Sequence, residues 1–291
     1  MGKYLVFTGG VGGAKLCLGL SQILEPEDIL FVVNTGDDFE HLGVKVCPDL
    51  DTLMYTLSRE SDEERGWGRK EETWRCLNSL RELGGPSWFN LGDKDLAVHL
   101  YRTHLLKQNH KLSEITSSLY RAFGIRHNAI PMSDDLVSTT IVTAGGEELS
   151  FQDYFVKESC VPVVKSIQYK NATAAKMPKK LREILFSSEL KRINFAPSNP
   201  FLSVDPILSI KENRVLLDIR QIDKTPITII GLSLNPFRGL IRDYLSICDS
   251  YFQAIRSSSP SQIETIDMAR RGLHNEGSAM VKERLSGKVK L

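Results

Sequence analysis

The sequence predicts an α/β protein with a mostly parallel sheet flanked by helices. Two observations carry this prediction. An apolar run at residues 4–7 is followed by a glycine cluster and a helical pattern, and a second apolar run follows at residues 29–33. A strand, a helix and a second strand in this order form the unit from which parallel sheets are built.

The remaining elements of the first half follow along the chain. The first helix is predicted over residues 14–24, after the glycines. The stretch of about 52–127 is mainly helical in pattern, and we interpret it as a helical insertion within a single domain of residues 1–291. Acidic and basic residues are interleaved over residues 59–70, which is typical of the solvated face of a helix.

Strand patterns return in the second half of the chain. Residues 138–142 and 149–151 flank a Gly145-Gly146 turn, and residues 163–169 follow, which together predict a small antiparallel element appended to the sheet. Further strands are predicted at residues 192–196 and 227–232, and a polar helical region from residue 257 onward. Ligands of such sheets bind at the carboxyl ends of the strands, so polar residues that follow a strand are the first candidates for a site.

Composition limits the classes of partner. The 291 residues carry 37 Lys and Arg against 36 Asp and Glu, a net charge of +1, so no overall field attracts nucleic acid or an anionic membrane. No run approaches the roughly 20 apolar residues of a membrane span. The five cysteines are scattered without a CxxC pair, as in reduced cytoplasmic proteins. We therefore expect a cytoplasmic protein that binds neither nucleic acid nor membrane.

The first candidate site is the glycine loop between the first strand and the first helix. It contains Gly9, Gly10, Gly12 and Gly13, followed by Lys15. Glycines let backbone N–H groups converge on a phosphate, and the following helix contributes the positive end of its dipole. The loop is neither a Walker A motif nor a regular GxGxxG fingerprint. A tight turn without a ligand is the alternative.

The second candidate is a group of carboxylates after the second strand. Asp37 and Asp38 lie in the loop after that strand, and Asp49 and Asp51 come shortly after. Carboxylates beside a phosphate site repel the ligand unless a cation lies between them, and Mg²⁺ binds through one or two carboxylates together with phosphate oxygens. We therefore expect magnesium. The alternatives are that Asp49 or Asp51 caps the next helix and that Asp38 is a solvated loop residue.

Two further clusters follow predicted turns. Asp93, Lys94 and Asp95 precede a helical pattern that contains Arg102, where Lys94 or Arg102 is placed to hold a substrate anion and the aspartates are placed to cap the helix. Ser198 and Asn199 follow the predicted strand 192–196, where they are placed to contact a nucleotide base or ribose. A plain turn explains Ser198 and Asn199 equally well.

Several motifs taken together are more specific than each alone. The chain contains TGGVGGAKL, NTGDDFEHLGVKVCPDLDTLMYTL, RGWG, WFNLGDKDLA, PMSDD, FQDYFV and APSNPFLSVDPILSI. Over residues 4–210 these motifs resemble the 2-phospho-L-lactate transferase family of coenzyme F-420 biosynthesis. The resemblance is weaker at residues 231–239, GLSLNPFRG, where that family usually has a serine-proline-isoleucine run, glycines and a KGP segment.

The resemblance implies a Rossmann-like fold and a Mg²⁺-dependent reaction. In that reaction the 5′-hydroxyl of the deazaflavin Fo attacks a guanosine diphosphate-linked phospholactate or phosphoenolpyruvate donor, and GMP is released. The glycine loop through Lys15 corresponds to the diphosphate site of the family. Asp37, Asp49 and Asp51 correspond to its metal-binding and Fo-contacting carboxylates.

The resemblance also implies roles for single residues. Asp49 is the first choice for a catalytic carboxylate, followed by Asp37. Lys94 corresponds to a basic residue near Fo, and Ser198 and Asn199 fall in a motif similar to the guanosine site. The sequence leaves open which acid is transferred and whether the chain forms a homodimer.

Two other functions compete with the transferase. A non-catalytic regulator of the same fold would bind a nucleotide or nucleotide sugar without turnover. An oxidoreductase would use the glycine loop as a variant dinucleotide fingerprint, but that fingerprint pairs with a lone acidic residue, whereas Asp37 and Asp38 lie in a longer acidic loop.

Overall fold

The computed structural model describes residues 3–214, 227–229 and 263–265. These residues contain eleven strands: β1 (Lys3–Thr8), β2 (Ile29–Val33), β3 (Phe39–His41), β4 (Val44–Val46), β5 (Asn128–Pro131), β6 (Ser138–Thr143), β7 (Glu148–Ser150), β8 (Val164–Lys170), β9 (Leu190–Phe195), β10 (Ile227–Ile229) and β11 (Ile263–Thr265). Six of them form one sheet in the order β11-β10-β9-β1-β2-β5. Every neighbouring pair in this sheet is parallel, which confirms the predicted fold class.

Helices cover both faces of the parallel sheet. The described helices are α1 (Gly10–Leu20), α2 (Pro48–Leu57), α3 (Arg75–Glu82), α4 (Asp93–Lys107), α5 (Leu112–Ala122), α6 (Lys179–Leu185) and α7 (Asp205–Ser209). Leu5 and Phe7 of β1 pack on the face covered by α6, and Val6 packs on the face covered by α1, α2 and α5. Because both faces are buried, β1 and β2 are continuous apolar runs rather than alternating ones.

The antiparallel strands form two separate small sheets. Strands β7, β6 and β8 make a three-stranded antiparallel sheet, as predicted, although it is not hydrogen-bonded to the parallel sheet. Strands β3 and β4 form a hairpin that the sequence did not predict. Each of its strands has three residues, which is too short for a clear alternating pattern.

Three other predictions about the elements are wrong. Helix α1 begins at Gly10 and ends at Leu20, rather than spanning residues 14–24. Residues 59–70 are not helical but form turns closed by a bridge between Ser61 and Arg69. Strand β11 lies in the region predicted to be helical from residue 257 onward, and the other residues of that region lie outside the described part of the chain. The last part of the strand predicted at 227–232 and the divergent residues 231–239 lie outside the described residues, and the single-domain organisation stays a prediction.

The topology brings three loops together at the carboxyl edge of the sheet. Strand β1 lies between β2 and β9. After β1 the chain enters α1 on one face, whereas after β9 it leads to Val204 and Ile207 on the opposite face. Ligands of open parallel sheets bind where the chain diverges in this way. Gly9, Asn34 and Ser198 are among the first residues of the three loops.

Candidate active site

Asp49 connects the first helix with the loop after β2. Its carboxylate accepts hydrogen bonds from the Gly10 N–H at 2.6 Å and from the Asn34 side-chain amide at 2.9 Å. The same amide group donates to Asp37 at 3.0 Å. The structure therefore brings together Asp37, Asp49 and the start of the glycine helix, three features that the sequence analysis assigned to one site.

Ionisation of Asp37 and Asp49 is electrostatically unfavourable in the folded protein. Burial raises the pKa of Asp49 to about 6, against hydrogen bonds from Asn34 and Gly10 that lower it. The pKa of Asp37 is raised well above its usual value by burial and by the negative charges of Asp49 and Asp38. Both shifts mean that the ionised forms lack sufficient positive charge nearby. Two adjacent carboxylates in this condition are the hard oxygen donors that suit Mg²⁺.

The glycines from Gly10 onward belong to helix α1 and not to a loop that precedes it. The positive φ of 63° at Gly10 lies in the left-handed region, and this residue already forms part of the helix. Its N–H group is taken by Asp49, so it is not free to bind phosphate. The N–H groups of Val11 and Gly12, in the first turn, have no acceptor within the helix. Both residues are exposed, and so is Lys15.

Gly9 is fixed by the closeness of Asp49. A Cβ atom at Gly9 would lie 2.6 Å from the Asp49 Oδ2 and 2.7 Å from the Ser203 Cβ. We expect Gly9→Ala to lower stability by about 1–3 kcal/mol because the added methyl group overpacks this contact. Gly19→Ala, inside α1 and with no neighbouring atom within 4 Å of the added Cβ, is the control and is expected to raise stability by about 0.5–1 kcal/mol. Thermal unfolding of both variants measures the difference, and equal effects would contradict the close packing at Gly9.

Ser198 and Asn199 hold the loop after β9 against the glycines. The Ser198 hydroxyl donates to the Gly9 carbonyl at 2.8 Å. The Asn199 side chain accepts from the N–H groups of Phe201 and Leu202 and so caps the short π-helical segment Pro200–Val204. Both side chains are buried. Their predicted contact with guanosine stays a prediction, because these hydrogen bonds describe a structural role.

Asp51 contacts different side chains from those that Asp37 and Asp49 contact. It is almost completely buried and forms a two-contact ion pair with Arg102 of α4. His99 lies 3.6 Å from Asp51 and 3.4 Å from Asp95, and the three residues are spaced closely enough to hold a metal. The Arg102 guanidinium already supplies the positive charge there. We therefore leave Asp51 out of the magnesium site proposed below.

The first residues of α4 contact the chain after α2. The Lys94 amine donates to the Lys70 carbonyl at 3.3 Å and lies 3.7 Å from Glu71, so its predicted role near Fo stays a prediction. Asp93 does not cap α4; it accepts hydrogen bonds from the N–H groups of Arg75 and Cys76 at the start of α3. No side-chain cap is present on α2 either, which begins after Cys47.

Sequence reasoning missed Asn34 as a member of the site. Its amide links Asp37, Asp49 and the Leu202 carbonyl of the β9 loop. The available signal was its position, because Asn34 is the first residue after β2. Asp38, considered as a solvated loop residue, is buried instead, and burial raises its pKa to about 7.

Comparison with known proteins decides the family. The profile of the 2-phospho-L-lactate transferase CofD family matches residues 5–233. The chain belongs to the CofD family. The profile of UPF0262, an uncharacterised protein family, matches residues 190–291. The CofD match spans the strands and loops that build the site described above, from β1 to the loop after β9.

Named relatives of this CofD family member include two kinds of transferase. It is 39% identical over 246 residues to the phosphoenolpyruvate transferase of Streptomyces griseus, which covers 82% of this chain and 75% of the relative. It is 36% identical over 218 residues to the 2-phospho-L-lactate transferase of Methanosarcina mazei, which covers 75% of this chain and 71% of the relative. The chain is therefore a transferase of the CofD type.

Solved structures support the fold of this CofD family member. A crystal structure of protein BH3568 from Bacillus halodurans matches with a TM-score of 0.59 and 15% identity, covering 97% of this chain and 85% of that one. A second crystal structure of BH3568, described there as a member of the UPF0052 family, matches with a TM-score of 0.53 and 15% identity over 79% of this chain and 69% of that one. None of the helices in the described residues is long and apolar enough to cross a membrane.

Proposed function

We propose that this chain transfers a phosphoenolpyruvyl or phospholactyl group from a guanosine diphosphate-linked donor to the 5′-hydroxyl of the deazaflavin Fo, with release of GMP. The observation that carries the proposal is the meeting of Asp37 and Asp49 at the N-terminus of α1. Helix N-termini bind diphosphates, and paired carboxylates beside them suit a divalent cation. The named relatives support the transferred groups.

The diphosphate of the donor would bind along the first turn of α1. The exposed Val11 and Gly12 present N–H groups there, and the exposed Lys15 lies one turn further along the helix. Asp49 already accepts the Gly10 N–H, so its negative charge marks the edge of the anion site. A bound diphosphate next to this carboxylate is favourable only if positive charge lies between them.

Asp37 and Asp49 would hold Mg²⁺, which neutralises the diphosphate charge when bound. The reaction itself forms one bond between the Fo hydroxyl oxygen and phosphorus and breaks the bond from that phosphorus to the GMP oxygen. The chain contributes mainly position: Asn34 fixes both carboxylates, and the α1 amides fix the phosphates. Asp49 is the carboxylate we assign to orient or accept the hydroxyl proton.

The transferase proposal is tested by mixing the purified chain with Fo, Mg²⁺ and each guanylylated donor, and measuring GMP by chromatography. We expect GMP with at least one donor, and loss of GMP when EDTA replaces Mg²⁺. GDP with Mg²⁺ is expected to raise the unfolding temperature, because a ligand that binds only the folded state stabilises it. Binding of GDP without GMP from either donor, while a named relative is active in the same assay, would favour the non-catalytic regulator.

A further inference from the structure

The Asn34 amide group has more hydrogen-bond acceptors around it than it has hydrogens. The side chain is completely buried. Its nitrogen lies 3.0 Å from Asp37 Oδ1, 2.9 Å from Asp49 Oδ2 and 2.9 Å from the Leu202 carbonyl oxygen. An amide NH₂ group carries two hydrogens. Three acceptors therefore compete for two hydrogens, and one of the three receives only a shared, weaker hydrogen bond.

The other end of the amide fixes its orientation. The Asn34 Oδ1 atom accepts the Gly36 N–H at 2.9 Å. A flipped amide would turn its NH₂ group toward that N–H and its oxygen toward the two carboxylates, so each hydrogen bond would become a repulsive contact. The Asn34 main-chain N–H donates to the Thr8 carbonyl at 2.9 Å, which holds the residue at the end of β2. The nitrogen therefore faces all three acceptors.

Charge decides which acceptor has the weakest hydrogen bond. Hydrogen bonds to an ionised carboxylate are roughly twice as strong as those between neutral groups. Without a cation, Asp37 and Asp49 therefore attract the two hydrogens, and the neutral Leu202 carbonyl receives the smallest share. When both carboxylates bind a cation, their charge is offset and oxygen lone pairs are taken up, so both become weaker acceptors. One amide hydrogen is then free to point at Leu202.

Leu202 belongs to the loop that contains the predicted nucleotide contacts. It lies in the π-helical segment Pro200–Val204, which directly follows Ser198 and Asn199. The Leu202 N–H donates to the Asn199 side chain at 3.2 Å. A stronger hydrogen bond from Asn34 to the Leu202 carbonyl therefore fixes the second polar group of a residue whose first is already held by Asn199.

We propose that Asn34 is a positioning residue that couples cation binding at Asp37 and Asp49 to the loop after β9. When the cation binds, Asn34 directs a hydrogen from a carboxylate to the Leu202 carbonyl and thereby holds this loop in place for the nucleotide. The inference rests on the proposed function for the cation site and the nucleotide site. Because coupling of this kind is reciprocal, a nucleotide that holds the loop also strengthens cation binding.

Hydrogen exchange measured by mass spectrometry tests the coupling without a substrate. The N–H groups of Phe201, Leu202 and Ser203 all donate to Asn199, so they report on the loop. We expect saturating Mg²⁺ alone to slow their exchange in the wild-type protein by about 2- to 10-fold, the range for one neutral hydrogen bond. In Asn34→Ser we expect fast exchange with and without Mg²⁺. The serine hydroxyl still accepts the Gly36 N–H but offers no amide to Leu202.

Asp37→Asn is the second variant, and its expected result is the opposite. Without its charge, residue 37 is a weaker acceptor, so Asn34 turns a hydrogen to Leu202 even when no cation is bound. We expect slow exchange of the loop before Mg²⁺ is added and no change afterwards. Asn213→Ser is the matched control, because Asn213 is also completely buried and donates to the Ile207 carbonyl at 2.9 Å. This control is expected to keep the wild-type response to Mg²⁺.

Guanosine extends the test to the nucleotide. It has no phosphate that Mg²⁺ could bridge, so any effect of Mg²⁺ on its affinity passes through the protein. We expect Mg²⁺ to tighten guanosine binding by about 2- to 10-fold in the wild-type protein and to leave it unchanged in Asn34→Ser. Calorimetry measures both affinities.

Two results would overturn the inference. One is a response to Mg²⁺ that Asn34→Ser retains, and the other is fast exchange in Asp37→Asn without Mg²⁺. If the wild-type protein forms GMP but its loop exchanges equally with and without Mg²⁺, the coupling fails and the proposed function stands. If the wild-type protein neither binds Mg²⁺ in calorimetry nor forms GMP, the proposed function fails as well.

Discussion

Replacing Asp49 with asparagine is expected to slow GMP release by about 100- to 10,000-fold, the range for loss of a group that moves a proton in the transition state. The substitution keeps an oxygen to accept the Gly10 N–H, so the position of α1 is retained. It removes the charge that would hold Mg²⁺ and orient the Fo hydroxyl. Steady-state rates at saturating Mg²⁺ and both substrates measure the effect, with Glu27→Gln as the control.

The same substitution is not expected to lower the unfolding temperature. Burial raises the pKa of Asp49 to about 6 from 3.8, so the folded protein binds this proton more tightly than the unfolded chain. The proton on Asp49 stabilises the folded protein fully below pH about 4, and this stabilisation is lost as the pH rises through about 6. At pH 7 the ionised carboxylate therefore opposes folding. Asparagine removes that cost, which offsets the loss of the oxygen that accepts from the Asn34 side chain. Equal losses of activity and stability would instead show that Asp49 only caps α1.

The parallel sheet was predictable because its strands are short apolar runs buried on both faces. Residues 29–33 are all buried in β2, as a continuous apolar run requires. The start of α1 was not predictable in the same way. Glycine is a poor helix former, so the pattern placed the helix after the glycines. The helix begins at Gly10 because Asp49, 39 residues away, accepts its N–H group.

The charged segment 59–70 shows how distant contacts override a local pattern. Its interleaved charges predicted a helix, but Arg65 lies over the rings of Trp67 and Trp74. Arg69 lies over the rings of Tyr55 and Phe123, two residues that are not part of the segment. Such cation–π contacts hold an irregular conformation that helical periodicity does not reveal.

The site was predictable as a set of acidic and glycine residues, but not in its pairings. The sequence placed Asp49 and Asp51 together, since they are two positions apart. On a helix, residues with this spacing do not share a face. Asp49 therefore turns toward Asn34 and Gly10, whereas Asp51 pairs with Arg102, 51 residues along the chain.

Replacing Arg102 with leucine is expected to lower stability by about 3–5 kcal/mol, because it leaves the Asp51 carboxylate buried without its partner. Arg102 is 2% exposed and Asp51 5% exposed, so water does not replace the lost contact. The substitution also removes the hydrogen bond to the Lys45 carbonyl. For a chain of this size the unfolding temperature should fall by about 6–20 °C.

The double variant Asp51→Leu/Arg102→Leu tests whether the unpaired charge of Asp51 causes the loss of stability. Replacement of a complete buried ion pair by apolar residues is often neutral, so the double variant is expected to recover most of the loss. If Arg102→Leu and the double variant unfold at the same lowered temperature, the unpaired charge of Asp51 is not the cause of the lost stability. Recovery of GMP release in the double variant would show that the pair supports α2, whereas recovered stability without GMP release would show that Asp51 also serves the reaction.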